Sequence, residues 1–276
     1  AIAESPLVPR SLVLQGRDAR RVDAVVRYGV ARLQPLGWNV RGETDMAAAL
    51  SGASAVIHQI RYGGLETREA GEALCARHDI AADETLGPAA LLTAIRLRAE
   101  LDRTCEMLLR HCPNAWVLNL TNPLSCVTAL MAERGVRQCL GLCELPLTTA
   151  QQVAKTLDVR FGELTWSYTG LNHRGFLHDL RINGRDVLDD LLRTLRGVTF
   201  AGVSAADIAE LRAVPLKYFR LVHRDAERPA QRAALLSDLR EQLLAELAAD
   251  PSVSPPSLQQ RDLSWYSQAV VPILAA

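Results

Sequence analysis

Between residues 11 and 142, short apolar runs alternate with stretches whose apolar residues recur every three or four positions. SLVLQ (11–15), a helical pattern over 18–33 and NVRGE (39–43) predict strand, helix, strand. A short helix over 45–50 leads to SAVIHQI (54–60), whose continuous apolar character fits a strand covered on both faces. A loop is predicted after it. Residues 88–111 predict a long helix opened by Pro88, followed by the strand AWVLNL (115–120), a helix after Pro123 and the strand RQCLGL (137–142). Strands separated by helical crossovers pair in parallel, so the predicted class is α/β with a doubly wound, Rossmann-like parallel sheet.

The rhythm changes near Pro146. A helix near 147–157 precedes two strand-like runs, ELTWSYTGL (163–171) and GFLHDLRI (175–182), joined by the polar turn NHR. Beyond Gly184 the pattern is almost wholly helical, with segments near 185–196, 204–223, 229–248 and 263–275. Two domains are therefore expected: residues 1–145 around the parallel sheet, and residues 146–276 as a mostly helical α+β unit capping the sheet's ligand edge.

Composition narrows the classes of function. Lys plus Arg and Asp plus Glu number 31 each, which removes any overall basic field for nucleic acid or an anionic membrane. No apolar run reaches membrane-spanning length, and AIAESPLVPR lacks the layout of a signal peptide, so a cytoplasmic protein is expected. The six cysteines have no C-x-x-C spacing, which argues against a disulfide framework or zinc ribbon.

Doubly wound sheets bind ligands outside the carboxyl ends of their strands. QIRYGG follows the third strand, NLTNP the fourth, GLCELP the fifth and GLNHRG an apolar run of the second unit. Cys143 and His173 lie in these loops. A thiolate and a neutral imidazole suit a divalent metal and leave coordination positions open, as a catalytic site requires. Asn119 and Asn122 bracket a loop before Pro123, where helix capping is the competing use. Arg61 can donate to hydroxyls or anions, and Gly63 and Gly64 allow close approach of the backbone.

Six segments in order resemble the signature blocks of glycoside hydrolase family 4: QIRYGGLETR, DETLGP, NLTNP with GLC, GLNH, and the weaker PLKYFR and QQRDLSWYS. The resemblance spans nearly the whole chain. It implies a lactate/malate dehydrogenase-like fold, a nicotinamide cofactor (NAD or NADP) and Mn2+ or another divalent metal held by Cys143 and His173. It also implies a sugar substrate and a homodimer or homotetramer. The implied reaction oxidises the sugar at C3, acidifies the C2 proton and eliminates the leaving group, an exception to two-carboxylate glycoside hydrolysis. By the same resemblance Arg61, Glu84, Asn122, Asn172 and Arg261 contact substrate, and Asn119 lies on the nicotinamide side.

The chain departs from the family pattern in several places. It has no glycine-rich loop of the GGGS type, and SLVLQ aligns with the family's second strand, as though the sequence begins after that loop. Where a ribose-binding acid is usual, it reads Gln15, Gly16, Arg17, Asp18; Arg17 suits a 2′-phosphate, and loss of cofactor binding is the alternative. Glu144 follows the cysteine where Asn or Asp is usual and is a candidate general acid. The catalytic base position falls on Asp207 or Ile208, with Tyr218 as another candidate, and the block around Arg261 lacks its glycines. These departures keep a second reading open, a non-catalytic relative that binds sugar or nucleotide. An ordinary dehydrogenase is disfavoured by the Cys143 and His173 blocks.

Overall fold

A computed structural model describes residues 7–8, 10–196, 200, 203–219 and 232–257. Strand β1 (Ser11–Gln15) pairs in parallel with β2 (Asn39–Glu43) across helix α1 (Ala19–Leu33). Asp18 caps α1 by accepting the backbone N–H groups of Arg20 and Arg21, which is why the helix begins there. Helix α2 (Met46–Leu50) leads to β3 (Ala55–His58), and β3 joins β4 (Trp116–Asn119) and β5 (Cys139–Gly141) in a second parallel ladder, ordered β3-β4-β5.

The parallel strands thus form two ladders, and no hydrogen bond links β1 to β3 among the described residues. In the doubly wound order 3-2-1-4-5-6 they correspond to positions 3-2 and 4-5-6. Helix α2 bridges the ladders by packing on both β1 and α4 (Pro88–His111). The central strand is the best covered: Val117, Leu118 and Asn119 are almost wholly buried. Against it pack Leu97, Leu101 and Leu108 of α4, and Val127 and Met131 of α5 (Leu124–Glu133), one core that lies wholly within residues 50–136. Their three- and four-residue spacing is the apolar stripe from which these helices are legible.

The loop expected after β3 is instead helix α3 (Gly64–Arg77). Gly63 and Gly64 both hold positive φ, at 72° and 70°, and turn the chain into it. Leu65, Gly71 and Cys75 are its buried positions, too narrow a stripe to announce a helix. At Gly71 a Cβ would sit 3.3 Å from the Ala89 side chain, so α3 and α4 pack closely.

The second half contains α6 (Leu145–Thr156), the antiparallel strands β6 (Leu164–Leu171), β7 (Arg174–Ile182) and β8 (Arg185–Asp186), then α7 (Leu188–Leu195) and α8 (Ala205–Leu211). Strand β9 (Val214–Pro215) pairs with β7. A separate core of Val153, Leu177, Leu180, Leu191, Ile208 and Leu216 holds these together. Two expected helices are shorter than the sequence pattern suggests. The 185–196 segment gives its first two residues to β8, and the 204–223 segment breaks at Arg212 (φ 50°) because Val214 and Pro215 pair with Leu177 and Phe176. Helix α9 (Arg232–Ala249) packs on α1 and α3 rather than over the sheet's ligand edge, and the Ala233 N–H donates to Glu72 Oε2 at 3.0 Å. The expected 263–275 helix lies outside the described residues. No helix among the described residues is long and apolar enough to cross a membrane.

Candidate active site

The carboxyl ends of β3, β4 and β5 open onto a cavity of about 410 Å³, closed on its far side by the turn between β6 and β7 and by Lys217 and Tyr218. Glycines shape that turn. Gly170 (φ 125°) pairs with Gly175, and a Cβ on Gly175 would overlap the Tyr168 ring, whose hydroxyl donates to the Leu171 carbonyl at 2.8 Å.

His173 sits in the turn in the left-handed conformation (φ 62°), which costs a non-glycine residue on the order of 1–3 kcal/mol and persists only where surroundings hold it. Its ring is held on three sides. Nδ1 lies 3.1 Å from Asp83 Oδ1, Nε2 lies 3.3 Å from Thr85 Oγ1, and the ring stacks on Tyr218 at 4.3 Å and 3°. Asp83 is buried beneath it, its Oδ1 also accepting the Thr85 N–H at 2.8 Å. Asp83 Oδ2 faces the Arg174 guanidinium at 3.2 Å without an aligned hydrogen bond. Burial pushes the Asp83 carboxyl upward, but the His173 and Thr85 hydrogen bonds and the Arg174 charge outweigh it and hold it below the usual carboxylate value.

Cys143 lines the same cavity one residue before the helix N-cap Glu144. Burial pushes its thiol up to about 11, opposed by the Leu145 N–H that points at the sulfur and by the Lys217 charge. Lys217 also stands 5.3 Å over the Tyr218 ring. Among the described residues no three His, Cys, Asp or Glu side chains come together as a metal cage. Any cation held by side chains here would have few protein donors and several open positions.

The opposite wall is a closed polar network. Asn119 Oδ1 meets His58 Nδ1 at 2.9 Å and accepts the Thr121 N–H at 3.0 Å, while its amide donates to Thr128 Oγ1 at 3.0 Å. His58 Nε2 lies 2.9 Å from the Tyr62 hydroxyl. Burial pushes Tyr62 up to about 12 and lowers His58, with the Asn119 hydrogen bond working against the latter. Asn119, expected near the nicotinamide, is thus wholly buried and its side chain is engaged within the protein.

The other expected residues divide. Arg61, Glu84, Asn122, Cys143, Glu144, His173 and Tyr218 all line the cavity. Glu84 Oε2 is shared by Arg61 at 3.2 Å and Arg68 at 2.6 Å, and Asn122 Oδ1 accepts from Thr85 at 3.1 Å. Asn172 is next to His173 with a buried Oδ1 that has no hydrogen-bond partner among the described residues, and it is outside the cavity lining. Asp207 does not line the cavity: it is buried in the first turn of α8, where its N–H and carboxylate both meet Ser204 Oγ. Arg17 is exposed and faces Glu100 at 3.8 Å, away from the cavity lining. Arg261 lies outside the described residues. Sequence reasoning missed Asp83, Thr85 and Lys217. Asp83 and His173 are 90 positions apart, so no local spacing signals their pairing.

The family model described as Family 4 glycosyl hydrolase matches residues 6–159, more than half of the chain. The chain belongs to family 4 of the glycosyl hydrolases. This family 4 chain is 28% identical over 256 residues to a 6-phospho-beta-glucosidase of Escherichia coli (strain K12), covering 84% of this chain and 57% of that relative. It is 30% identical over 171 residues to an alpha-galactosidase of Rhizobium meliloti (strain 1021), covering 59% of this chain and 34% of that relative. Among solved structures it superposes with a TM-score of 0.83 and 20% identity on a 6-phospho-alpha-glucosidase from gut microorganisms in complex with NAD and Mn2+. That match covers 97% of this chain and 67% of that one, and it establishes the α/β fold, a doubly wound parallel part joined to an α+β part, over the chain's length. The chain spans 57% of the length of the Escherichia coli relative.

Proposed function

We propose that this chain carries the metal and sugar site of a family 4 glycosidase that cleaves a glycoside or 6-phospho-glycoside by oxidation and elimination. The supporting observation is that Cys143 and His173, on loops from different halves, line one cavity at the strand ends. A thiol and an imidazole with few competing donors fit a divalent ion such as the Mn2+ bound by the solved relative. For the dinucleotide, NAD or NADP, the chain offers the open ends of β3 and β4 but no glycine-rich turn for a pyrophosphate, so no step is derived through that group. A nicotinamide, if bound at the strand ends, would supply a hydride acceptor for the sugar's C3 and return the hydride after water adds, and a metal held by Cys143 and His173 would polarise the neighbouring oxygens, which together would make the C2 proton acidic.

The chain's own residues then have separable tasks. Tyr218, stacked on His173 in the cavity, is the residue assigned to take the C2 proton, in preference to Asp207, which is buried and outside the cavity lining. Glu144, exposed on the wall at the start of α6, gives a proton to the leaving oxygen. Arg61 and Asn122 bind substrate hydroxyls or phosphate; Asn122 does so through its amide N–H groups, since its Oδ1 is taken by Thr85. Arg17 would have to leave Glu100 to meet a 2′-phosphate, and tighter binding of NADP than NAD tests that role. The two buried cores are read as two units meeting near residue 145, a homodimer or homotetramer is the assembly the family resemblance implies, and a cytoplasmic setting is the one the sequence pattern favours.

The test is turnover in deuterated water with NAD, NADP and Mn2+ supplied. The proposal expects deuterium at C2 of the released sugar, because elimination and readdition break that bond. Hydrolysis without C2 deuterium contradicts it.

A further inference from the structure

The reading of Cys143 and His173 as metal ligands, on which this inference rests, leaves open which His173 nitrogen faces the ion and what fixes it. An ionised carboxylate can only accept hydrogen bonds, so Asp83 Oδ1 at 3.1 Å takes the Nδ1–H of the neutral ring. Nε2 is then the nitrogen that carries the lone pair. Thr85 has one hydroxyl proton and two acceptors within reach, Asn122 Oδ1 at 3.1 Å and His173 Nε2 at 3.3 Å. When it donates to Asn122, the Nε2 lone pair is left for a cation. We propose that Asp83 is the positioning residue of this site: it fixes the tautomer and tilt of His173 so that Nε2 presents its lone pair to the metal.

Two further contacts serve the same end. Arg174 faces the second Asp83 oxygen at 3.2 Å, which favours the ionised carboxylate, and Tyr218 stacks on the ring at 4.3 Å, which stops it from turning. Carboxylate partners of metal-bound histidines fix ring orientation in this way, and their loss typically weakens metal affinity on the order of 10–100-fold. In Asp83→Asn the amide can turn its oxygen to His173 and Thr85 and its N–H₂ to Arg174, so the acceptor for Nδ1–H survives and only the charge is lost, whereas Asp83→Leu and Asp83→Ala remove the acceptor.

Nitrogen NMR of the metal-free, ¹⁵N-histidine-labelled protein reads the tautomer directly, with His173 assigned by its disappearance in His173→Gln. The parent and Asp83→Asn should show His173 protonated at Nδ1 alone, and Asp83→Leu and Asp83→Ala should show mixed or Nε2-protonated rings. Manganese titration should show affinity falling on the order of 10–100-fold in Asp83→Leu and Asp83→Ala. Asp83→Leu, close in shape to the parent and without an acceptor, carries the test if Asp83→Ala does not fold. An unchanged Nδ1–H tautomer in Asp83→Leu, or parental manganese affinity with an altered tautomer, overturns the proposal. If instead His173→Gln and Cys143→Ser bind manganese like the parent, the metal reading fails, and with it Asp83's role toward a metal, whatever the tautomer.

Discussion

The two walls of the cavity use polar side chains in opposite ways. On the wall from β3 and β4, His58, Asn119, Thr121 and Tyr62 hydrogen-bond one another; His58 and Asn119 lie outside the cavity lining, and Tyr62 and Thr121 reach it already hydrogen-bonded. On the wall from β5 and the β6–β7 turn, a thiol, an imidazole nitrogen and a tyrosine ring are positioned by neighbours but face the space. The difference separates residues that build the site from residues able to act in it. Buried polar groups whose partners all lie within the protein stabilise and rigidify, whereas groups positioned at a cavity's surface can also meet what enters it.

The largest expected stability effect breaks the first wall. Asn119→Ala strands His58 Nδ1 and the Thr121 N–H, and at 1–3 kcal/mol for each unsatisfied buried group the loss should be about 3 kcal/mol by urea denaturation. Manganese affinity of the folded fraction should be unchanged, and a large drop there would erase the contrast between the walls. The same wall carries a pH signature. Burial lowers the folded-state value of His58, so the unfolded chain binds the proton more readily. Stability should be full above about pH 6.5, the ordinary histidine value, and fall as pH drops below it. His58→Gln should remove that part of the pH dependence; an unaltered profile would count against a neutral buried ring.

Smaller effects probe the second wall. Tyr218→Leu removes the stack on His173, typically worth about 0.5–1.5 kcal/mol, so manganese affinity should fall about 3- to 10-fold with little change in the urea midpoint. Ser204→Ala, which removes the cap shared with Asp207, should cost about 1 kcal/mol of stability and leave metal affinity untouched. A loss of metal affinity in Ser204→Ala would return Asp207 to the site.

The sequence made most elements readable where punctuation and periodicity agree. Asp18 and Pro88 open helices within a residue of the expected starts, and the two strand runs around NHR form the hairpin that carries His173. Helix α3 was hidden because two glycines precede it and its buried stripe is thin. The break at Val214 and Pro215 was hidden because it depends on β7, a strand some 40 residues away, and not on local propensity. At the site, residues in loops after strands were legible from fold logic, as Cys143, His173, Arg61 and Asn122 illustrate. Their supports were not. Asp83 looks like any loop carboxylate until the hairpin places His173 on it, and Asn119 looks like a ligand contact until His58 is seen to occupy it.

The most direct measurement is manganese titration of the metal-free protein, followed by the ion's paramagnetic signal, for the parent, Cys143→Ser and His173→Ala. The parent should bind one ion, and each variant should lose more than about 100-fold in affinity, beyond the range typical of outer-shell changes. Parental affinity in both variants would contradict the account, because the cavity would then hold no metal through the two groups that distinguish its second wall.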